Sequence, residues 1–211
     1  MIEPWPSVGH VYATVAAEHG YPDLDADQLT ARFRAAWRGR SAFDYSRPAW
    51  SGLVSETFRG ILARPPAPDF FDALYRRFAS SAVWRVFEEV PSTLAQLSGL
   101  GVKLGIVSNW DERLRPMLDD LRLAPSFEVI VISTEEGFTK PSRELFHRAA
   151  ERLGVAPANV LHVGDSAAED VAGARGAGMR AVRLKRAAGG TSVPGLIHDL
   201  MSLGSLLDNP P

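Results

Sequence analysis

Apolar residues along the first 86 positions recur at helical spacing. Val8, Val11, Tyr12, Val15 and His19 form one stripe, closed by Gly20 as a C′ residue. Leu29, Phe33, Ala36 and Trp37 form a second, with Asp27 as its expected N-cap. Trp50, Leu53, Val54, Thr57, Phe58, Ile61 and Leu62 form a third. Phe70, Phe71, Leu74, Tyr75 and Phe78 form a fourth, opened by the proline-rich run ARPPAPD. These stripes predict a small helical bundle.

Beyond residue 86 the period changes. Short, nearly continuous apolar runs at 102–107 (VKLGIV), 128–132 (EVIVI), 160–163 (VLHV) and 180–184 predict strands. Helical patterns at 91–100, around Leu114, Leu118 and Leu121, around Leu145, Phe146, Ala149, Ala150 and Leu153, and at 166–177 lie between them. Strands of this kind alternating with helices predict a parallel sheet covered on both faces, with every strand's carboxyl end at one edge. Fifteen of the nineteen aromatic residues lie in residues 1–87, so the two halves build different cores and the boundary falls near residues 87–91. The segment RAAGGTS reads as a flexible loop and the tail from Asp208 as frayed.

Charge and composition narrow the function classes. The 23 Lys and Arg against 25 Asp and Glu leave no basic excess to neutralise a phosphate backbone, which argues against nucleic acid. The absence of cysteine removes disulfides, thiolate metal sites and thiol nucleophiles together. No apolar run approaches the ~18 residues that span a bilayer, and MIEPWPSVGH has neither a basic nor an apolar leader segment. No membrane partner and a cytoplasmic location are the corresponding expectations.

Polar residues gather where the predicted strands end. Ser108 and Asn109 follow one; Gly164, Asp165 and Ser166, then Asp170, follow another; Lys140 and Pro141 stand in the loop after a third. A strand-end Ser-Asn alone is an ordinary helix start, and a Lys-Pro alone means little. Together at one sheet edge they suit an anion whose charge is spread over several oxygens, as in phosphoryl transfer. Ser108 offers a hydroxyl and a helix-start N–H. Lys140 offers a point positive charge, and Asp165 and Asp170 offer the hard oxygens that Mg²⁺ takes. Ser166 with Glu169 is a capping box, and Gly164 lets the strand turn into its helix. His162, inside an apolar strand, reads as a satisfied core histidine. Asp23, Asp25 and Asp27 read as caps and solvated surface.

These segments resemble the haloacid dehalogenase-like hydrolase superfamily. Val107-Ser108-Asn109 is similar to its second motif, Lys140 in TKPSRELF to its third, and VGDSAAEDVAGARGAGM to its fourth. The resemblance implies an α/β fold, a three-layer Rossmann-like parallel sheet at 87–211 with a helical C1-type cap at 1–86. It implies phosphate binding by Ser108, Asn109 and Lys140, with Lys140 catalytic, and Mg²⁺ held by Asp165 and Asp170, with Gly164 and Ser166 structural at the site. It also implies an aspartate nucleophile and a second Asp two residues on, at the end of a first strand lying between 102–107 and 160–163. Residues 1–211 contain no apolar strand ending in Asp-x-Asp. The expectation is then a weakened or lost Mg²⁺ site and no turnover by these residues alone. About five buried apolar residues at roughly 2 kcal/mol each are also lost to the sheet, which is comparable with a domain's whole stability. Either the natural chain starts some fifteen residues earlier (roughly one strand and turn), or something else fills the sheet, association into a homo-oligomer included. The leading function is a phosphatase-type hydrolase of a small phosphorylated metabolite. A 2-haloacid dehalogenase and a non-catalytic binding protein of the same fold are the alternatives.

Overall fold

A computed structural model describes residues 1–40, 43–62, 68–186 and 195–208. The expected loop RAAGGTS lies almost wholly outside them, as do most of ARPPAPD and the last three residues of the tail. In chain order the elements are β1 (Ile2–Pro4), α1 (Val8–Glu18), α2 (Ala26–Gly39), α3 (Arg47–Phe58), α4 (Pro68–Arg77), β2 (Trp84–Val86) and α5 (Glu89–Gly99). They continue with β3 (Gly105–Ser108), α6 (Leu114–Asp120), β4 (Val129–Ile132), α7 (Ser133–Glu136), α8 (Arg143–Leu153) and β5 (Leu161–Gly164). A π-helical turn (Ala167–Ala172), α9 (Gly173–Gly176), β6 (Arg180–Leu184), β7 (Leu196–Ile197) and α10 (Leu203–Asp208) complete the order. The chain divides into two compact units, Met1–Phe87 with Arg113–Leu121, and Glu88–Glu112 with Arg122–Pro211.

In the first unit the expected stripes become α1 to α4 and bury Tyr12, Val15, Leu29, Val54, Phe58, Phe70 and Leu74 together. The Tyr12 and Phe58 rings stack with centroids 5.6 Å apart, and Phe70 meets Phe58 edge-on at 5.2 Å. Two helices cross closely at Gly9: a Cβ there would lie 1.9 Å from the Ala26 carbonyl oxygen, and the Gly9 N–H donates to Thr30 Oγ1 at 3.1 Å. Asp25, not Asp27, caps α2, accepting from the Gln28 N–H at 2.8 Å. The reason is one of register: the helix begins at Ala26, one residue before Asp27. Gly20 stands at φ +84°, the left-handed conformation that a residue beyond a helix end favours. β1 and β2 form an antiparallel ribbon, Ile2 opposite Val86, that no local pattern announces. α6 groups with this unit, although its sequence position lies among the strands of the other. Arg113 at its start is buried, with its guanidinium 3.7 Å over the Tyr75 ring and Nη1 donating to the Tyr75 carbonyl.

The second unit holds two separate parallel ladders. β3 pairs with β4 (Gly105 opposite Val129), and β6 stands between β5 and β7 (Leu161 opposite Arg180). Among the described residues no ladder joins β3 to β5. The break therefore falls where the family resemblance puts its first strand. α8 is amphipathic and buries Leu145, Phe146, Ala149, Ala150 and Leu153. Val129, Val131, Leu145, Ala149 and Leu153 form one cluster. Phe146 heads another, with Ala150, Ala174, Ala177, Met179 and Ala181, against which Val107 packs. Gly173 is required there, because a Cβ would lie 2.7 Å from Phe146 Cε2 and 3.0 Å from the Pro141 Cα.

Candidate functional site

The carboxyl ends of β3 and β5 carry one hydrogen-bonded network. Asp170 is its centre and is only 3% exposed. Its Oδ1 accepts from Lys140 Nζ at 2.6 Å and faces His162 Nε2 at 3.2 Å, while Oδ2 accepts the Ser166 N–H at 2.9 Å. Burial alone would push this carboxyl group up. The bond from His162, the charge and bond of Lys140 and the Ser166 N–H outweigh it, and Asp170 is held well below the usual carboxylate range. The group is therefore a permanent anion at any pH near neutrality.

Local chain geometry aims it. Ser166 Oγ accepts the Glu169 N–H at 3.1 Å, which is half of the expected capping box. The reciprocal half comes from Asp170, not Glu169, because the turn that follows is π-helical: the Val171 N–H reaches back to the Ser166 carbonyl. Such turns displace one residue from the regular helical face and recur at functional sites. Gly164 serves this arrangement by its size. A Cβ at Gly164 would lie 2.2 Å from Asp170 Cγ. The expected need for a sharp turn is replaced by a need for space.

Asn109 holds the Lys140 loop. Its Oδ1 accepts the Lys140 N–H at 2.7 Å, and its Nδ2 donates to the Lys140 carbonyl at 3.2 Å and to Glu169 Oε2 at 3.3 Å. Its side chain clamps the Lys140 loop from both sides. Ser108, half-buried, ends β3 immediately before it. The expected helix start at Ser108 is not observed: α6 begins only at Leu114, so Ser108 contributes its hydroxyl and no helix-terminal N–H. Ser133 ties down the same turn, accepting from the Trp110 N–H and donating to its carbonyl, both at 3.0 Å.

Asp165 and Asp170, the expected Mg²⁺ ligands, stand in different surroundings. Asp165 is exposed, and both oxygens of Asp170 already hold protein donors. Among the described residues no three His, Cys, Asp or Glu side chains gather as a metal would require. Lys140 is a positive charge in direct contact with Asp170.

Two members of the network, His162 and Glu169, have structural readings in the sequence, as a core histidine and a helix cap. His162 reaches Asp170, and the signal was its parity: it lies two residues before Gly164 on a strand, hence on the same face. Glu169 was read as a cap and instead bridges to Asn109. Asp23 and Asp25 lie between α1 and α2, at no strand end.

Comparison with known proteins adds to this geometry. A family model described as a haloacid dehalogenase-like hydrolase matches residues 10–178. Haloacid dehalogenase-like hydrolase domain-containing protein 3 of Danio rerio is 35% identical over 191 residues, spanning 85% of this chain and 78% of the relative. Glyceraldehyde 3-phosphate phosphatase of Methanopyrus kandleri is 38% identical over 111 residues, 50% of this chain and 46% of the relative. The crystal structure of a HAD phosphatase from Thermococcus onnurineus superposes with a TM-score of 0.65 at 27% identity, covering 95% of this chain and 87% of that one. With the strand-end motifs, the α/β architecture and a family model spanning most of its length in agreement, this chain belongs to the haloacid dehalogenase-like hydrolase family.

Proposed function

We propose that the site is the anion-holding part of a phosphatase for small phosphorylated metabolites, and that residues 1–211 alone do not turn such esters over. The observation that carries the reading is the fixed Lys140: Asn109 clamps its backbone, and Asp170 Oδ1 accepts one N–H of its ammonium group at 2.6 Å. An ammonium group has three protons, so two remain for the oxygens of a phosphate. Ser108, at the end of β3, adds a hydroxyl donor. Transfer of a phosphoryl group needs such positioned positive charge more than it needs covalent machinery. Relatives named as phosphatases, 38% identical over 111 residues in one case, support a phosphate ester over a carbon–halogen bond.

The attacking group is the part these residues do not supply. An aspartate at a strand end would attack phosphorus, forming an acyl phosphate as the P–O bond to the departing alcohol breaks; Asp165 follows β5, but the residue two positions on is Ala167, so it has no Asp-x-Asp partner. Removal of a nucleophile that acts as a unit with its partners commonly costs about a million-fold in turnover.

The test has two arms. Inorganic phosphate should shift the amide resonances of Ser108 and Lys140, and Lys140→Met should abolish those shifts. p-Nitrophenyl phosphate should show no hydrolysis above background, with or without Mg²⁺. Absent shifts contradict anion binding; Mg²⁺-dependent hydrolysis lost in Asp165→Asn contradicts the silence of the chain.

A further inference from the structure

We infer that Arg183 of β6 is a positioning residue for Lys140, acting through the peptide group that joins Asp165 to Ser166. The inference rests on the proposed role of Lys140 in holding phosphate.

One peptide group stands between Arg183 and Asp170. Its N–H, from Ser166, donates to Asp170 Oδ2 at 2.9 Å, and its carbonyl, from Asp165, accepts Arg183 Nε at 3.1 Å. Asp170 in turn accepts Lys140 Nζ on Oδ1 at 2.6 Å. A trans peptide group is planar, and its C=O and N–H point to opposite sides. Turning the carbonyl therefore turns the N–H with it. Arg183 holds one end of the group and so sets where the other end aims.

Strand register brings Arg183 to this point. β5 and β6 run parallel, with His162 opposite Ala181 and Gly164 opposite Arg183. Side chains two apart on a strand share a face. Ala181 belongs to the cluster headed by Phe146, and the Phe146 ring meets the His162 ring edge-on at 5.1 Å. Arg183 therefore leaves its strand on the face that carries His162 and Asp170. Val182 and Leu184 beside it are buried, whereas Arg183 is half-buried.

The peptide needs such a donor. The β5–β6 pairing ends at Gly164 with Arg183, so the Asp165 carbonyl lies one residue beyond the ladder. The Ser166 hydroxyl is committed elsewhere, to the Glu169 N–H. A guanidinium on the carbonyl also polarises the peptide, which strengthens its N–H as a donor to Asp170. Lys140 depends on that carboxylate for its head group, because Asn109 holds only the backbone of Lys140. A bond that merely closed the corner after β5 would leave Lys140 unaffected.

The experiment uses the whole chain labelled with ¹⁵N. Arg183→Met keeps an unbranched stem and removes the donor. Arg183→Gln places an amide nitrogen as many bonds from the backbone as Nε and removes the charge. Arg180→Met, at the start of β6, is the control. In Arg183→Met the Ser166 amide should exchange about tenfold faster or more, and the ammonium resonance of Lys140 should broaden. Inorganic phosphate should bind this variant about threefold to tenfold more weakly. Arg183→Gln should bring exchange and phosphate affinity within about twofold of native, and Arg180→Met should leave them unchanged. Three results would overturn the inference. The first is native exchange at Ser166 in Arg183→Met. The second is faster exchange at Ser166 with an unchanged Lys140 resonance, which would confine Arg183 to the turn. The third is Arg183→Gln behaving like Arg183→Met, which would make the charge the acting feature in place of the bond. A native chain that binds no phosphate would sink the phosphate reading alone, since the Ser166 and Lys140 signals still decide the role of Arg183.

Discussion

Gly164→Ala is the most informative single perturbation of the site. A Cβ at this position would stand 2.2 Å from Asp170 Cγ and 2.4 Å from both Asp170 Cβ and Oδ2. No side-chain end can yield cheaply, because the carboxylate is held from three directions by Lys140, His162 and the Ser166 N–H. Either the turn moves away from β5 or Asp170 leaves its partners. Overpacking of a fitted interior costs about 1–3 kcal/mol. Loss of a hydrogen bond to a charged group adds about 1.5–3 kcal/mol. The expected destabilisation is therefore about 3–5 kcal/mol, read as the urea midpoint at constant slope. The cause is separated by a double-mutant cycle with Asp170→Gly. If the clash with Asp170 is the mechanism, Gly164→Ala costs about 2 kcal/mol less in that background. A cost below ~1 kcal/mol in the native background, or an unchanged cost beside Gly at 170, refutes the packing argument.

Four further outcomes follow from the same contacts. Asp170 titrates well below its ordinary value when folded, so its stabilisation is full above the unfolded pKa near ~4 and is lost as pH falls through the lower folded value; Asp170→Asn should flatten the fall in urea midpoint measured below about pH 4. His162→Phe keeps a ring against Phe146 but removes the contact with Asp170, and should cost about 1–3 kcal/mol in the same assay; no loss would show the His162 bond to be idle. Asn109→Asp turns a donor into an acceptor facing the Lys140 carbonyl and Glu169, and should speed amide exchange at Lys140 by about tenfold or more; unchanged exchange contradicts the clamp. In the first unit, Gly9→Ala should destabilise by about 2 kcal/mol or more, whereas Gly52→Ala, with nothing within 4 Å, should stabilise α3 by about 0.5–1 kcal/mol; thermal melts of the two variants should move in opposite directions.

Much of this protein is written in local pattern. The stripes of α1 to α4 and α8 follow from a period of 3.6, and the strands from short apolar runs, because both depend on residues a few positions apart. Ser108, Lys140 and Asp170 were legible as strand-end chemistry for the same reason. Their partners were not. Lys140 lies 30 residues from Asp170, and Asn109 lies 60 from Glu169, so only the folded chain decides that Asp170 pairs with Lys140 and Asn109 with Glu169. The ribbon that sets Ile2 opposite Val86, the grouping of α6 with the first unit and the size limit at Gly164 are likewise contacts between distant segments. A local period can say that β3 and β5 are strands; it cannot say that among the described residues no ladder joins them, because backbone pairing between remote strands is a property of the sheet and not of either sequence.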